Sequence, residues 1–302
     1  MTRVAAVDLG TNSTRLLVAD VEDGRVEDVE RRLQITRLGE GVDERRRLLP
    51  LPIARVRNVL AGYRQEIERL GAERTLAIAT SAVRDAENGE AFLGEVEWSY
   101  GFATRLLSGD EEARLTLRGV AADRELAPGT LIVDIGGGST ELILAETHTS
   151  LDLGSARLTE RFGDEFRGCA AYVRKHLPEL EVRSAIGVAG TITSLAALDL
   201  GLVEYDRERV HGHKLTAAGV QAQLVRLAAL PLEERRKVPG LDPDRAPVIV
   251  AGAVILREVL ARYGLDAIEA SERDILDGAA LAAAELPEPA EGDAPPGAYT
   301  CC

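Results

Sequence analysis

One stretch occurs twice in this 302-residue chain, and it constrains the fold more than any other feature. In both copies, residues 6–18 and 131–144, an apolar run ends in an aspartate, turns at glycine and resumes behind a Ser-Thr pair. Each copy predicts a β-hairpin whose tip lets backbone amides approach another group closely. Aligned in register, Asp8 falls on Asp134, and the copies differ where Arg15 falls on Glu141. The duplication predicts two similar domains facing each other.

Alternating strand and helix patterns predict an α/β fold. The best candidate for a domain joint is residues 127–129, so we predict domains at 1–126 and 127–286. The last predicted helix is a candidate to pack back on the first domain. Within the second domain, the apolar spacing predicts single helices over 158–177 and 215–230. Residues 287–302 are rich in proline, glycine and acidic residues, which predicts a disordered tail.

The net charge of −14 bounds the partners of the chain. Binding to nucleic acid or to an anionic membrane relies on a basic surface, so neither is expected. A polyanionic substrate stays compatible with this charge, because screening over about 8 Å lets a local cluster of arginines act independently. The run Arg45–Arg47 is most simply a solvated face.

Cysteine usage and apolar run lengths indicate a cytoplasmic protein. The three cysteines, Cys169, Cys301 and Cys302, form neither a disulfide framework nor a metal-ligand set. The N-terminus shows no signal-peptide pattern, and the apolar runs are far shorter than the roughly 20 residues of a spanning helix.

The hairpin tips predict sites for anions. Backbone N–H groups in a glycine turn, with hydroxyls beside them, form an anion-binding concavity. Two such tips from facing domains would hold a phosphate chain between them. A third candidate is Gly190-Thr191, where a strand turns into a helix N-terminus. The alternative is that tight hairpins simply need glycine for positive φ.

Several carboxylates could supply chemistry, and each has a plainer interpretation. Asp134 and Glu141 flank the second tip and could be ligands for Mg²⁺. The plainer interpretation is that Asp134 caps the turn and that Glu141 is a solvated strand residue. Glu111 and Glu112 lie in the first turn of a helix, where spacing alone favours compensation of the helix dipole. Arg84 follows a strand end and could bridge phosphate oxygens or be merely exposed.

Two histidines carry a weaker signal. His211 and His213 flank a glycine in a predicted loop and could contact a metal or a phosphate. Two histidines in a loop are more often incidental.

Five motifs occur together in one order, and this combination resembles the exopolyphosphatase / guanosine pentaphosphate phosphatase family. The resemblance covers most of residues 4–286 and matches the short, two-domain form. It implies membership of the actin–Hsp70–sugar-kinase superfamily, with two ribonuclease-H-like domains facing across a central cleft. The motifs are Asp8-Leu-Gly-Thr-Asn-Ser13, Ser81-Ala-Val-Arg84, Ser108-Gly-Asp-Glu-Glu-Ala113, Asp134-Ile-Gly-Gly-Gly-Ser-Thr-Glu141 and Ala189-Gly-Thr191.

The resemblance also implies roles for individual residues. Glu112 would be the general base that activates water, which reverses the interpretation favoured by spacing. Glu141 would position that water or the metal, while Asp134 and, less directly, Asp8 would support Mg²⁺, with Mn²⁺ as a substitute. The matching phosphate-contacting positions are Asn12, Ser13, Arg84, Gly137, Gly138 and Ser139.

The function implied is release of orthophosphate from the end of inorganic polyphosphate, with a preference for short chains. Removal of the 5′-terminal phosphate of guanosine pentaphosphate, a nucleotide of the stringent response, would use the same residues. A sugar-kinase-like enzyme, a non-catalytic polyphosphate or nucleotide sensor and an actin-like filament subunit remain alternatives. A homodimer is expected only by analogy with relatives.

Overall fold

The computed structural model describes residues 1–145, 147–163 and 165–287, and these residues form two compact units. Unit 1 contains residues 1–124 together with the segment that starts at Ile275, and unit 2 contains residues 125–274. The last helix packs within unit 1, as the sequence allowed, so unit 2 ends at Asp274 rather than at residue 286. Apart from Pro287, the predicted tail and its two cysteines lie outside the described residues.

The sheet of unit 1 has five strands in the order β3-β2-β1-β4-β5. The first three strands along the chain are antiparallel neighbours, and the next two join the sheet in parallel. The strands are β1 (Thr2–Leu9), β2 (Ser13–Glu22), β3 (Arg25–Ile35), β4 (Arg74–Ala79) and β5 (Ala103–Leu106).

Both faces of this sheet are covered, which explains why β1 is apolar at successive positions rather than at alternate ones. Ala5 and Val7 join a core with the long helices of one face, whereas Val4 and Ala6 join a separate core on the other face. The helices that precede unit 2 are α1 (Val42–Arg45), α2 (Pro50–Leu70), α3 (Ser81–Arg84), α4 (Gly89–Tyr100) and α5 (Gly109–Val120).

The sheet of unit 2 has six strands in the order β10-β11-β9-β6-β7-β8. Its first three strands are antiparallel, and β9 and β11 then add in parallel. The strands are β6 (Thr130–Ile135), β7 (Thr140–Leu144), β8 (Thr147–Leu151), β9 (Ser184–Val188), β10 (Lys214–Thr216) and β11 (Ala267–Ala270).

The two units repeat one topology, as the duplicated stretch predicts. In chain order, β1 to β5 take the same places in their sheet as β6, β7, β8, β9 and β11 take in theirs. Only the short edge strand β10 is additional among the described strands of unit 2. The prediction of an α/β fold built from two similar domains is therefore confirmed.

Two helix predictions in unit 2 were wrong in extent. The segment 158–177 forms two helices because the first ends at its C-cap Gly163, whose positive φ of 51° favours glycine and interrupts the helix. The segment 215–230 begins as strand β10, and its helix starts after the N-cap Thr216, whose hydroxyl accepts the N–H of Gly219. The helices of unit 2 are α6 (Ser155–Phe162), α7 (Phe166–His176), α8 (Ala189–Asp199), α9 (Arg207–Val210), α10 (Ala217–Ala228), α11 (Leu232–Arg235) and α12 (Ile249–Arg262).

The final helix, α13 (Ile275–Ala284), completes unit 1 by covering the second face of its sheet. The buried Asp277 forms an ion pair with Arg31 on β3. Gly278 lies against α5 so closely that a Cβ there would stand 1.9 Å from the carbonyl oxygen of Leu115. Across the part of the chain that the structure describes, no helix has the length and apolar character needed to cross a membrane.

The close approach of α13 to α5 gives a test of this packing. We expect Gly278→Ala to lower the free energy of unfolding by about 2–3 kcal/mol, because the new methyl group must displace a backbone carbonyl. Gly62→Ala is the matched control, since Gly62 lies inside α2 with open space around it. Gly62→Ala should raise the free energy of unfolding by about 0.5–1 kcal/mol. Urea unfolding measures both, and equal effects of the two substitutions would contradict the packing described.

Candidate active site

In unit 1, the predicted site residues gather where β1, β4 and β5 end. These strands are parallel, so the segments that follow them meet at one edge of the sheet. The Thr11 hydroxyl in the first hairpin tip lies 2.9 Å from the Ser81 hydroxyl, which follows β4. Leu107, after β5, donates its N–H to the carbonyl of Ala79 at 2.9 Å.

The first tip leaves polar groups available at this edge. Gly10 donates to the carbonyl of Ser13 at 3.0 Å, and the carbonyl of Asn12 accepts the N–H of Arg37 at 2.9 Å. The Asn12 amide and the Ser13 hydroxyl, both predicted to contact phosphate, have no side-chain partner in the described part of the chain. The tip carbonyls are thus satisfied within the protein, while side-chain donors remain for an anion.

Asp8 is committed to an ion pair inside the same hairpin. It lies directly opposite Arg15 on the neighbouring strand, in the register that the sequence alignment predicts. The Arg15 guanidinium donates to Asp8 Oδ2 through Nε at 2.9 Å and through an Nη at 2.8 Å. Both side chains are largely buried. Arg15 thus holds Oδ2 of this carboxylate, and the predicted role of Asp8 at a metal stays a prediction.

Glu112 and Arg84, two residues predicted to belong to the site, are in contact. Glu112 lies on α5 and is only 5% exposed. Arg84 Nη1 donates to Glu112 Oε2 at 2.6 Å and to the carbonyl of Leu107 at 2.7 Å. Nε and Nη2 of Arg84 have no partner among the described residues. One guanidinium can therefore orient the Glu112 carboxylate and still donate to a phosphate oxygen.

The adjacent residues Glu111 and Glu112, which sequence spacing does not distinguish, have different surroundings in the structure. Glu111 closes a capping box with Ser108 at the start of α5, accepting the Ser108 N–H at 2.9 Å. The backbone N–H of Ser108, followed by its hydroxyl, lowers the pKa of the Glu111 carboxyl. Capping thus accounts for Glu111, whereas burial beside Arg84 sets Glu112 apart.

In unit 2, the carbonyls of the second tip are bound by the start of α6. Ala156 donates its N–H to the carbonyl of Gly137 at 2.9 Å, and Arg157 donates through Nε to the carbonyl of Gly138 at 2.7 Å. A Cβ at Gly154 would stand 2.2 Å from the Gly137 oxygen, so only glycine allows this approach. The N–H groups of Gly137, Gly138 and Ser139 have no partner in the described part of unit 2.

Two carboxylates face each other across the second hairpin. Asp134 lies directly opposite Glu141 in the register of β6 and β7, where the first hairpin has the Asp8–Arg15 pair. Both are buried, with 8% and 4% of their surface exposed. The Ser150 hydroxyl on β8 donates to Glu141 Oε1 at 3.0 Å. Like charges at opposed strand positions are destabilising, so this pair suits a bound cation.

A third turn lies at the same edge of unit 2, because β9 is the parallel neighbour of β6. The turn opens α8, and Ala189 adopts φ 65°, a strained conformation for a residue with a side chain. A Cβ at Gly190 would stand 1.7 Å from Nη1 of Arg245. Thr191 packs against Gly252 of α12. The N-terminal amides of α8, which include Gly190 and Thr191, have no side-chain cap.

Two arginines of unit 2, which no sequence motif indicates, contact the predicted turns. Arg157 binds the carbonyl side of the second tip, and Arg245 packs on the third turn. Neither arginine stands in a recognisable local pattern, because each reaches its turn through tertiary packing. No signal in the sequence would have separated them from the other arginines.

The donor set fits a magnesium ion that keeps several waters. Among the described residues, no group of three or more His, Cys, Asp or Glu side chains is placed to hold a metal. Mg²⁺ in phosphate-processing sites takes one or two carboxylates, with water and substrate oxygens completing the shell. The Asp134–Glu141 pair meets that requirement, and Mn²⁺ accepts the same oxygen ligands.

The histidines and the buried cysteine have structural roles. His213 Nε2 lies 2.8 Å from Asp199 Oδ2, and His211 Nδ1 accepts the N–H of Glu272 at 3.1 Å. Burial raises the pKa of the Cys169 thiol to about 11, which keeps it protonated and unreactive at neutral pH. These contacts account for all three residues without a ligand.

Known proteins are similar to this chain in sequence and in fold. Residues 17–284 match the model of the Ppx/GppA phosphatase family. Exopolyphosphatase 2 of Mycobacterium tuberculosis is 38% identical, over 94% of this chain and 99% of that protein. The crystal structure of an exopolyphosphatase-like protein aligns with a TM-score of 0.86 at 32% identity, covering 93% of this chain and 98% of that one. For the Aquifex aeolicus Ppx/GppA family member, the TM-score is 0.77 at 32% identity, over 94% and 97% of the two chains.

The chain therefore belongs to the Ppx/GppA phosphatase family. This confirms the resemblance on which the sequence analysis relied and the prediction that the protein is a phosphohydrolase. Membership of this family favours neither of the two alternatives, a sugar kinase or a filament subunit.

The Asp8–Arg15 ion pair can be tested against a second pair on the same two strands. Arg15→Ala should lower the free energy of unfolding by about 3–5 kcal/mol, because it leaves the buried Asp8 without its cation. Arg3 and Asp20 also lie opposite each other on β1 and β2, but they are more exposed. Arg3→Ala should therefore cost much less. Chemical denaturation of both variants measures the difference, and equal losses would rule out a special role for the buried pair.

Proposed function

We propose that this protein is an exopolyphosphatase that hydrolyses the terminal phosphoanhydride bond of inorganic polyphosphate in the presence of Mg²⁺. The observation that carries the proposal is the unpartnered row of amides at Gly137–Ser139 beside the opposed carboxylates of Asp134 and Glu141. Amides suit the oxygens of a phosphate chain, and the carboxylates suit the cation that accompanies it. The 38% identity to a protein named as an exopolyphosphatase supports this substrate.

The chain's own residues can be given roles in this reaction. Glu112 accepts the proton of the attacking water, and the Arg84 guanidinium holds the carboxylate in place from 2.6 Å. Arg84 also donates to phosphate oxygens through its remaining N–H groups. Backbone amides of the second tip and of the third turn bind phosphate oxygens, as do Asn12 and Ser13 in unit 1.

A divalent cation would be held by Asp134 and Glu141. When bound, Mg²⁺ neutralises charge that develops on the phosphoryl oxygens. Ser150 fixes the orientation of the Glu141 carboxylate by its hydrogen bond. This arrangement separates the tasks of the two hairpins, since in the first one the equivalent carboxylate already has Arg15 as its partner.

Guanosine pentaphosphate is the alternative substrate. The matched family includes phosphatases of both names, and the residues proposed here would serve either reaction. Phosphate release should be measured from polyphosphates of defined length and from guanosine pentaphosphate, with and without Mg²⁺. A higher kcat/KM for polyphosphate supports the proposal, and a higher value for the nucleotide reverses it. Binding of either ligand without release would indicate a sensor. The preference for short chains stays a prediction, which the length series tests.

The role of Glu112 is tested by a pair of adjacent isosteric variants. Glu112→Gln should lower kcat by about 10²–10⁴-fold, because a positioned base typically contributes that factor. The variant should fold normally, since glutamine can still accept the hydrogen bond from Arg84. Glu111→Gln is the control, because glutamine also satisfies a capping box. Phosphate release that is unchanged in Glu112→Gln, or lowered equally in both variants, would contradict the assignment.

The cation site predicts opposite effects on stability and activity. Glu141→Gln removes the charge opposite Asp134, so without metal it should raise the free energy of unfolding by about 0.5–1 kcal/mol. The same variant should require more Mg²⁺ for half-maximal activity, because one carboxylate ligand is lost. Denaturation in EDTA and a Mg²⁺ titration of phosphate release measure the two effects. A destabilised variant with an unchanged Mg²⁺ requirement would exclude Glu141 as a ligand.

A further inference from the structure

A groove in unit 1 shares no lining residue with the proposed active site. It encloses about 490 Å³, which is within the usual range for small-molecule sites. It is formed where the loop after α1 meets the start of α2. Its lining combines apolar side chains with arginines: Arg45, Arg47, Leu48, Leu49, Pro50, Ile53, Arg57 and Asn88.

Two of the three arginines that line this groove have side chains without a partner among the described residues. The guanidinium groups of Arg45 and Arg47 form no hydrogen bond or ion pair with any described residue. Elsewhere in the chain many arginines are paired, as expected for a protein with a net charge of −14. Two guanidiniums that neutralise no carboxylate of their own protein attract an external anion.

The start of α2 adds to the positive character of the groove. This helix of 21 residues has no acidic residue in its first turn, and its N-cap Leu49 supplies no side-chain acceptor. The positive end of the helix dipole therefore remains uncompensated at the groove. Pro50 and Pro52 have no N–H, which leaves most of the hydrogen bonding with an anion to the arginines.

The loop that carries these arginines is held in place before any ligand binds. Asn88 accepts the Leu48 N–H at 2.8 Å and donates to the Leu48 carbonyl at 3.1 Å. Glu87 donates its N–H to the carbonyl of Arg46 at 2.8 Å. A preformed loop loses little conformational entropy when a ligand binds.

From this geometry we propose that the groove is a second ligand site, which binds a nucleoside polyphosphate. The phosphates bind to Arg45 and Arg47, and the base lies on the apolar floor formed by Leu48, Leu49 and Ile53. An inorganic phosphate chain would gain nothing from that floor. Arg57 is fixed by two bonds to Glu95, at 2.5 and 2.6 Å, so its planar guanidinium can stack on a base.

The same contacts predict weak selectivity for the base. The amide group of Asn88 is the only uncharged polar side chain of the lining, and both its oxygen and its nitrogen are bonded to Leu48. Stacking and apolar contact then dominate recognition, and these accept adenine and guanine alike. We expect ADP and GDP to bind with similar affinity.

Calorimetric titrations of the full chain with ADP and with tripolyphosphate test the proposal, in EDTA so that no turnover occurs. Arg45→Ser/Arg47→Ser should weaken the groove's binding of ADP about tenfold or more. Arg46→Asn is the matched control: it removes a neighbouring arginine that does not line the groove, and asparagine tolerates the φ of 54° at this position. The affinity of this control variant for ADP should stay within about twofold of that of the unsubstituted protein.

A third variant separates the base from the phosphates. Leu49→Ser removes part of the apolar floor, yet serine is a favoured N-cap, so α2 should remain intact. The substitution should weaken the binding of ADP and leave the binding of tripolyphosphate unchanged. The proposed site would be wrong if ADP binding were weakened as much in Arg46→Asn as in the double variant, or were not weakened in the double variant. Unchanged ADP binding by Leu49→Ser would overturn the nucleotide as its ligand. Phosphate release from polyphosphate, assayed on the same variants, should be unaffected, which keeps this result independent of the proposed reaction.

Discussion

Backbone amides can bind an anion only when no carbonyl of the protein uses them, and the second hairpin tip meets this condition. The carbonyls of Gly137 and Gly138 are bound by the first turn of α6, whereas the amides of the same residues have no partner among the described residues. Gly154 allows α6 to approach, because any side chain there would collide with the tip. The proposed anion site thus depends on a packing contact behind it as much as on the glycines that line it.

The two hairpins share one backbone arrangement but differ in their electrostatics. Both copies keep the same turn hydrogen bond, Gly10 to Ser13 and Gly136 to Ser139, each at 3.0 Å. One cross-strand position differs, and an arginine at that position makes a closed ion pair where a glutamate makes an acidic pair. The residue at this one position therefore decides whether the hairpin carries a closed ion pair or two opposed carboxylates.

The sequence was informative wherever local chemistry determines structure. Hairpin register followed from the position of Asp and Gly in each copy, since the turn fixes which residues face each other. The break between α6 and α7 was missed because apolar periodicity continues through Gly163, and the positive φ of this residue has no effect on that pattern. Arg245 and the Glu112–Arg84 contact were beyond prediction from spacing, because they join segments far apart in the chain.

The return of α13 to unit 1 has a consequence for synthesis of the chain. Residues 125–274 are interposed between the first strands of unit 1 and the helix that covers their second apolar face. As the ribosome releases the polypeptide, unit 2 can fold while Val4, Ala6 and Leu17 still lack the cover that α13 provides. Unit 1 is therefore the last to mature, and contacts of such large sequence separation form slowly. During that interval the nascent chain exposes an apolar sheet face, the kind of surface that chaperones protect.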